Sequence, residues 1–518
     1  MRALSVLTRR CQPQISRCVQ RRNLLTLAIE TSCDDTSVAV LEKHQNNTAT
    51  LHFNHKITSD NRHLKGISPI IAHESHQTNL AKLVNVALEY LPVKAADDAS
   101  PDQTLMVKDH HGKTQRRKKP DFVTVTRGPG MRANLITGMD TAKGLAVAWQ
   151  VPFLGVHHMQ AHALTPRMVT ALEIATPKEH HGIAGILDTD YVEKPWYHKI
   201  HQQQKQLLFA PNQERYKLDV TPAFPFLSLL VSGGHTVLVL TKGLCDHEIL
   251  AQTTDIAIGD YIDKVARDIL PPRVLKSSKS VMYGPTLEYY AYPDTGKTND
   301  YNYRAPTNSG RRKPNKSNEV SKTLKPRDWD IPPPLTKTKA AVTHNVLAKM
   351  FSFSGMGSSV KAIVERNPEM EDGERRLLAR EAMRVAFEHL GSRVLTALKK
   401  SHIELGVNAL VVSGGVASNQ YLKHILRAML DSQGYEKMNL VFPPPEFCVD
   451  NAAMIAWAGI EMWEVGYRTR LSALAEKKWS LDPEANDGGI LGLQGWVNVL
   501  EEGVVTPKGV MPKENLES

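Results

Sequence analysis

An apolar strand, a turn of small polar residues and a second apolar strand occur twice in this chain, over residues 24–41 and again over 226–241. A strand pair of this kind cannot bury its apolar face alone, so each copy is read as the opening of an α/β lobe. Duplication of such a lobe leaves a cleft between the two halves, with both turns facing it. The pattern between the copies alternates strands with helices. Residues 409–412 form a third short apolar strand that runs into Ser413, Gly414 and Gly415. Over 374–400, Leu378, Met383, Val385, Leu390, Val394 and Leu398 are apolar among Arg, Glu and Lys, the pattern of an amphipathic helix. At 518 residues the chain is long enough for two or three domains with sizeable cores.

Several stretches stand outside that frame. Residues 1–29 hold no Asp or Glu but carry Arg2, Arg9, Arg10, Arg17, Arg21 and Arg22 among Ser and Thr. That is the make-up of a mitochondrial transit peptide, without the apolar core of a secretory signal. Residues 93–119, 176–216 and 296–340 are polar insertions, too poor in aliphatic residues to offset their ordering entropy. The expected organisation is a transit peptide over 1–24, a first lobe over 25–220 and a second over 221–447. Residues 448–518 would then carry a ligand loop, a helix returning to the first lobe and a tail.

Net charge is +10, a balance that suits a polyanionic partner, although the leader and the insertions carry part of it. Five cysteines without a CxxC pair exclude a disulfide framework. No apolar run is long enough to span a bilayer.

The chemistry-bearing residues cluster in a few short motifs. The first turn reads Glu30-Thr31-Ser32-Cys33-Asp34-Asp35-Thr36, hydroxyls beside carboxylates, which is also ordinary turn composition. The second, after Leu230 and Val231, is Ser232-Gly233-Gly234-His235, and the third is Ser413-Gly414-Gly415 leading to Asn419. Paired glycines let backbone N–H groups approach an anion, though each pair also makes a plain tight turn. No GxxxxGK[ST] is present. His158 and His162 are four apart, on one face of a helix, the spacing of two imidazoles on one metal; a structural pair is the alternative. Asp450, at a loop-to-helix junction where it could double as an N-cap, is the candidate third ligand. Two imidazoles and a carboxylate suit Zn²⁺ or Fe²⁺ better than Mg²⁺. Met159 stands where a zinc protease needs Glu, which argues against a metallopeptidase. Asp255, Asp260 and Asp263 are candidates for one helix face that accepts ribose hydroxyls, or for a solvated face.

Together these stretches resemble a known family. IETSCDDTSVAV (29–40), GISPIIAHESH (66–76), TRGPGMRANLITG (126–138), GVHHMQAHAL (155–164), FLSLLVSGGHT (226–236), FSFSG (351–355), VVSGGVASN (411–419) and CVDNAAMIA (448–456) stand in one order. That set is similar to the tRNA N6-adenosine threonylcarbamoyltransferases, in their mitochondrial, bacterial-like branch. The resemblance implies a two-lobe, actin-like or sugar-kinase-type ATPase fold with a central nucleotide cleft. It implies transfer of a threonylcarbamoyl group from threonylcarbamoyl-adenylate, supplied by a separate synthase, to N6 of tRNA adenosine 37, with release of AMP. By residue, it implies His158, His162 and Asp450 as ligands of one divalent ion per subunit. Leu230, Val231, Ser232, Gly233 and Gly234 would form the adenylate-binding turn, with Asp263 on the ribose and Gly284 and Asn419 on the nucleotide. It further implies the mitochondrial matrix, a homodimer and tRNAs that read ANN codons. Glu30 and Asp35 are the candidates for a general base. Tyr283 replaces the first glycine of the family's Gly-Gly-Pro, and Arg132 and Asn134 replace small residues. A phosphotransferase or ATPase of the same fold and a non-catalytic nucleotide-binding scaffold are the competing readings.

Overall fold

The computed structural model describes residues 23–61, 66–94, 103–172, 219–278, 282–293, 301, 303–306, 329–335 and 347–500. The leader before Asn23, residues 176–216 and most of 296–340 lie outside the described residues, so the readings placed there rest on sequence alone.

The strands, in chain order, begin with β1 (Leu24–Glu30), β2 (Asp35–Lys43) and β3 (Ala49–Thr58). Next come β4 (Thr104–Lys108), β5 (Thr114–Lys118), β6 (Phe122–Gly128) and β7 (Phe153–His157). The second half supplies β8 (Phe226–Val231), β9 (Thr236–Thr241), β10 (His247–Thr253), β11 (Met350–Phe351), β12 (Ala409–Ser413) and β13 (Asn439–Val441). The chain ends with β14 (Tyr467–Thr469) and β15 (Trp496–Asn498).

Thirteen of them form two large sheets that share a core connectivity, and β4 and β5 stand apart as a two-stranded sheet. The first runs β15-β14-β7-β6-β1-β2-β3 and the second β11-β10-β9-β8-β12-β13. In each, an antiparallel meander (β1-β2-β3, β8-β9-β10) is extended from its first strand by parallel strands that follow a helix. β1 is central, with Leu27 opposite Val40 on β2 and opposite Val123 on β6. Burial on both faces explains why it reads as an unbroken apolar run.

The apolar residues separate into three layers. One, with Leu27, Ile29, Leu83 and Leu135, lies under the helices Pro69–Glu89 and Arg132–Trp149. Another, with Val231, Tyr261, Phe353 and Leu390, lies on the far side of the second sheet under Ile258–Ile269, Ser354–Arg366 and Asp372–Leu405. The middle layer is shared: Ala28, Val156 and Trp457 pack with Phe226, Leu230, Val239 and Val411. Its helices are His158–Ala171 and Ala452–Glu464. This is the duplicated two-lobe α/β fold of the actin-like, sugar-kinase class, with the lobes joined through that middle layer.

Within the segment read as a polar insertion, β4 and β5 make an antiparallel hairpin, pairing Thr104 with Lys118. The short apolar run Leu105-Met106-Val107 was a strand signal that the polar residues around it obscured. After Cys448 the chain returns to the first sheet, where β14 pairs with β7 and β15. No helix of the described residues is long and apolar enough to cross a membrane.

Candidate active site

His158 and His162 leave the first turns of the helix that follows β7. His157 caps it, its Nδ1 accepting from the backbone N–H groups of Met159 and Gln160 at 3.2 and 3.4 Å. The cap fixes the helix start one residue before His158 and so aims both imidazoles at one point. Asp450 reaches that point from the other end of the chain. It lies one residue ahead of the N-cap it was expected to supply. Asn451 caps the helix Ala452–Glu464 instead, its Oδ1 accepting from Met454 N at 3.0 Å. Asp450 is thereby free to face the histidines.

His162 Nε2 donates to Asp450 Oδ1 at 3.1 Å, and His158 Nε2 lies 3.5 Å from the same oxygen. The two rings stand edge to face with centroids 4.7 Å apart. The donor atoms of the three residues all fall within 4.8 Å of one another. Tetrahedral coordination with bonds of about 2.0–2.1 Å sets ligand atoms roughly 3.3 Å apart, so a closing of the widest pair by about 1.5 Å would seat a divalent ion of zinc size among them. His162 Nδ1 is buried without a hydrogen-bond partner among the described residues.

The electrostatics favour a cation at this point. Burial pulls the His158 pKa down, but Asp450 and Glu30 outweigh it and raise it to about 9. Burial likewise opposes ionisation of Asp450, and the neighbouring imidazoles hold its carboxyl well below the usual range. A site that holds a proton this firmly between two carboxylates can exchange it for a metal.

Glu30 and Asp35, the candidates for a general base, are each held by neighbouring side chains. Glu30 is fully buried, and its Oε2 accepts from His158 Nδ1 at 3.2 Å and from Thr126 Oγ1. Its Oε1 accepts from Ser32 N at 2.5 Å. Burial pushes its pKa up, while His158 reverses that and leaves it lowered. A carboxylate on the far nitrogen of a ligating imidazole orients the ring and fixes its tautomer. Asp35 accepts from Lys56 Nζ at 2.7 Å and from Thr58 Oγ1 on the adjoining strand.

The Ser-Gly-Gly turns adjoin because β12 pairs in parallel with β8, Ser413 opposite Leu230. Gly414 has φ of +97°, and a Cβ there would lie 2.3 Å from Val231 O. Leu230 and Val231 are buried, so only their backbone is available to a ligand. Gly233 and Gly234 are exposed, and a Cβ on either would meet nothing within 4 Å. Ser232 Oγ accepts from Gly234 N and His235 N at 3.3 and 3.0 Å, which shapes the turn.

Asp263 Oδ1 accepts from the Tyr283 and Gly284 N–H groups at 2.8 and 3.1 Å. Burial outweighs these donors and raises its pKa to about 6. Gly284 begins the helix Gly284–Ala291. Asn419 caps the helix Gln420–Asp431, its Oδ1 accepting from Leu422 N at 2.9 Å. Asp260 shares the Asp263 helix and pairs with Lys264 at 2.7 Å. Asp255 does not share it. That carboxylate takes the Phe353 and Ser354 N–H groups at 3.0 and 3.1 Å, at the start of another helix.

Three further residues belong to this region. His235 is held down to about 4 by burial, reinforced by His158, and stays neutral beside the histidine pair. Asp34 is raised to about 6 by burial and by Asp35 and Asp450. Gly259 brings its helix onto the second turn: a Cβ would lie 2.7 Å from Gly233 N and from Ser232 O. His235 and Asp34 stood inside motifs already noted, whereas nothing local marks Gly259.

The sequence model of the family described as TsaD, tRNA N6-adenosine threonylcarbamoyltransferase, matches residues 113–179 and 210–457. The mitochondrial tRNA N6-adenosine threonylcarbamoyltransferase of Schizosaccharomyces pombe is 32% identical over 485 residues, 92% of this chain and 90% of its own. A tRNA N6-adenosine threonylcarbamoyltransferase of Methylocapsa acidiphila is 28% identical over 89% of this chain and 97% of its own. The mitochondrial enzyme of Danio rerio is 27% identical over 94% of this chain and 93% of its own.

Proposed function

This chain belongs to the tRNA N6-adenosine threonylcarbamoyltransferase family, and from that premise we propose that it modifies adenosine 37 of mitochondrial tRNAs reading ANN codons. The observation that carries the reading is the meeting of His158, His162 and Asp450 at one point, from positions 288 residues apart for the last pair. Two related mitochondrial enzymes support the compartment, in agreement with the acid-free leader.

In the reaction, N6 of the adenosine attacks the carbamoyl carbon of threonylcarbamoyl-adenylate. A C–N bond forms, the C–O bond to the phosphate breaks, AMP leaves and N6 loses one proton. His158, His162 and Asp450 would hold a divalent ion, Zn²⁺ or Fe²⁺ by the chemistry of the donors, which supplies Lewis-acid stabilisation of developing negative charge. Glu30 keeps His158 turned with Nε2 towards that point. Gly233 and Gly234 offer open backbone to the adenylate phosphate, and the Gly233 N–H has no hydrogen bond among the described residues. Asp263, ionised above pH 6 or so, accepts the ribose hydroxyls. Gly284 and Asn419 flank the nucleotide through backbone and cap. A separate synthase supplies the adenylate, and the working form is a homodimer.

The test uses purified protein lacking the leader, threonylcarbamoyl-adenylate and an unmodified ANN-reading tRNA, with nucleoside analysis of the product. Wild type is expected to form the modified adenosine and His158→Ala/His162→Ala to lose it together with bound metal. Absence of product from folded, metal-loaded wild type would turn the assignment to a phosphotransferase or a scaffold of the same fold.

A further inference from the structure

Between β14 and β15, the segment 476–479 packs against Arg127, Gly128, Gly130 and His157, the last of them directly before His158. Glu476 N donates to Arg127 O at 2.8 Å, and Arg127 Nε returns a bond to Leu474 O at 3.0 Å. Gly130 N donates to Lys477 O at 3.3 Å. His157 Nε2 donates to Trp479 O at 3.1 Å, with the two rings 4.6 Å apart. Gly128 is pressed so closely beneath that a Cβ would lie 2.2 Å from Glu476 O. Lys477 and Lys478 are thus bracketed by fixed points, one of them adjacent in sequence to His158.

Both lysines are exposed, as is Arg132 two residues beyond Gly130. None of the three has an ion pair among the described residues, and Glu476, the acid beside them, is turned to Arg127 at 3.5 Å. The route inward is short. Gly130 packs on Ser32, where a Cβ would lie 2.7 Å from its carbonyl oxygen, and Ser32 Oγ lies 3.3 Å from His158 Nδ1. Three exposed cations on segments tied together by the Gly130–Lys477 bond, without an ion pair among the described residues, leave local positive charge that an anionic chain laid across them would offset. A nucleobase delivered to the histidine site carries a phosphate on each side, and such contacts fix register and orientation without reading sequence.

We propose that Arg132, Lys477 and Lys478 form a phosphate-gripping ridge that seats the RNA backbone beside the adenosine being modified. The inference rests on the tRNA-modifying reading above. It assigns the ridge to RNA and not to a protein partner, because the exposed groups are cations without an ion pair among the described residues, on backbone tied to the residues next to the histidine site.

The test compares wild type with Lys477→Gln/Lys478→Gln and with the same change plus Arg132→Gln. A charge-matched control, Lys399→Gln/Lys437→Gln, lies towards the opposite end of β12, where Asn439 pairs with Ala409. Each lost phosphate contact lowers the salt slope of log affinity by about 0.7–0.9. The triple variant is therefore expected to bind tRNA with a slope about two units shallower and to raise the tRNA KM about tenfold or more at low salt. The KM for the adenylate and the metal content should stay at wild-type values, and the control should match wild type throughout. An unchanged slope overturns the ridge, and so does a loss of binding that follows loss of dimer by light scattering. Filter retention of tRNA keeps the two readings apart: binding without product counts against transfer, while the ridge is still judged by the slope.

Discussion

At the residue scale, each titratable side chain near the cleft is defined by its neighbours. Glu30 and Asp263 are both carboxylates in largely dry surroundings. Burial prevails at Asp263 and raises its pKa to about 6, whereas His158 prevails at Glu30 and keeps it ionised. The sign of the pH effect follows for Asp263. Its pKa lies above the ordinary 3.8, so the group is neutral below about 6 and charged above. A neutral carboxyl is a poorer acceptor for two ribose hydroxyls. Between pH 7 and pH 5 the ionised fraction falls about tenfold, and the KM for the adenylate is expected to rise by a similar factor. Asp263→Asn should show a high KM that does not change over that range. A wild-type KM equally flat from pH 7 to 5 would remove Asp263 from the ribose.

At the element scale, the site depends on how closely two turns approach. Gly414 sits against the Val231 carbonyl with φ of +97°, a conformation that L side chains rarely adopt. Gly414→Ala adds both the left-handed backbone cost and a clash with main chain that has no rotamer to yield. The expected result is destabilisation of about 1–3 kcal/mol in chemical unfolding, with weakened adenylate binding and unchanged metal content. Gly233→Ala serves as the contrast: no atom of the described residues lies within 4 Å of the added Cβ, so its stability should match wild type and only ligand binding should suffer. Equal stability of both variants would mean that the turns are not held by this contact.

At the scale of the whole molecule, the middle apolar layer joins the lobes and also positions Asp450. Trp457 is fully buried there, on the helix that begins just after Asp450, and Lys43 Nζ lies 5.5 Å from its ring centroid. Trp457→Ala leaves a cavity between the sheets and is expected to cost about 3–5 kcal/mol. Because Asp450 directly precedes the cap of that helix, metal content should fall with stability. A variant that loses less than about 1 kcal/mol and keeps its metal would separate the layer from the site.

The duplicated strand-turn-strand units, the amphipathic helix over 374–400 and the His158/His162 spacing could be read directly from residue order, because each is a local pattern with a period of its own. The family could be read from the order of its motifs. The roles of Glu30, Asp35, Asp255 and Asn419 could not, because a carboxylate or amide in a turn looks the same whether it faces a ligand, an imidazole or a helix end. Asn451 in place of Asp450 as the cap is a difference of one residue that only backbone geometry resolves. The hairpin over 104–118 was hidden by polarity, which reports exposure and not the absence of a strand. Residue order by itself determined the repeating architecture and its chemical inventory. Tertiary structure decided which members of that inventory meet, since contacts between residues hundreds of positions apart depend on the packing of whole sheets.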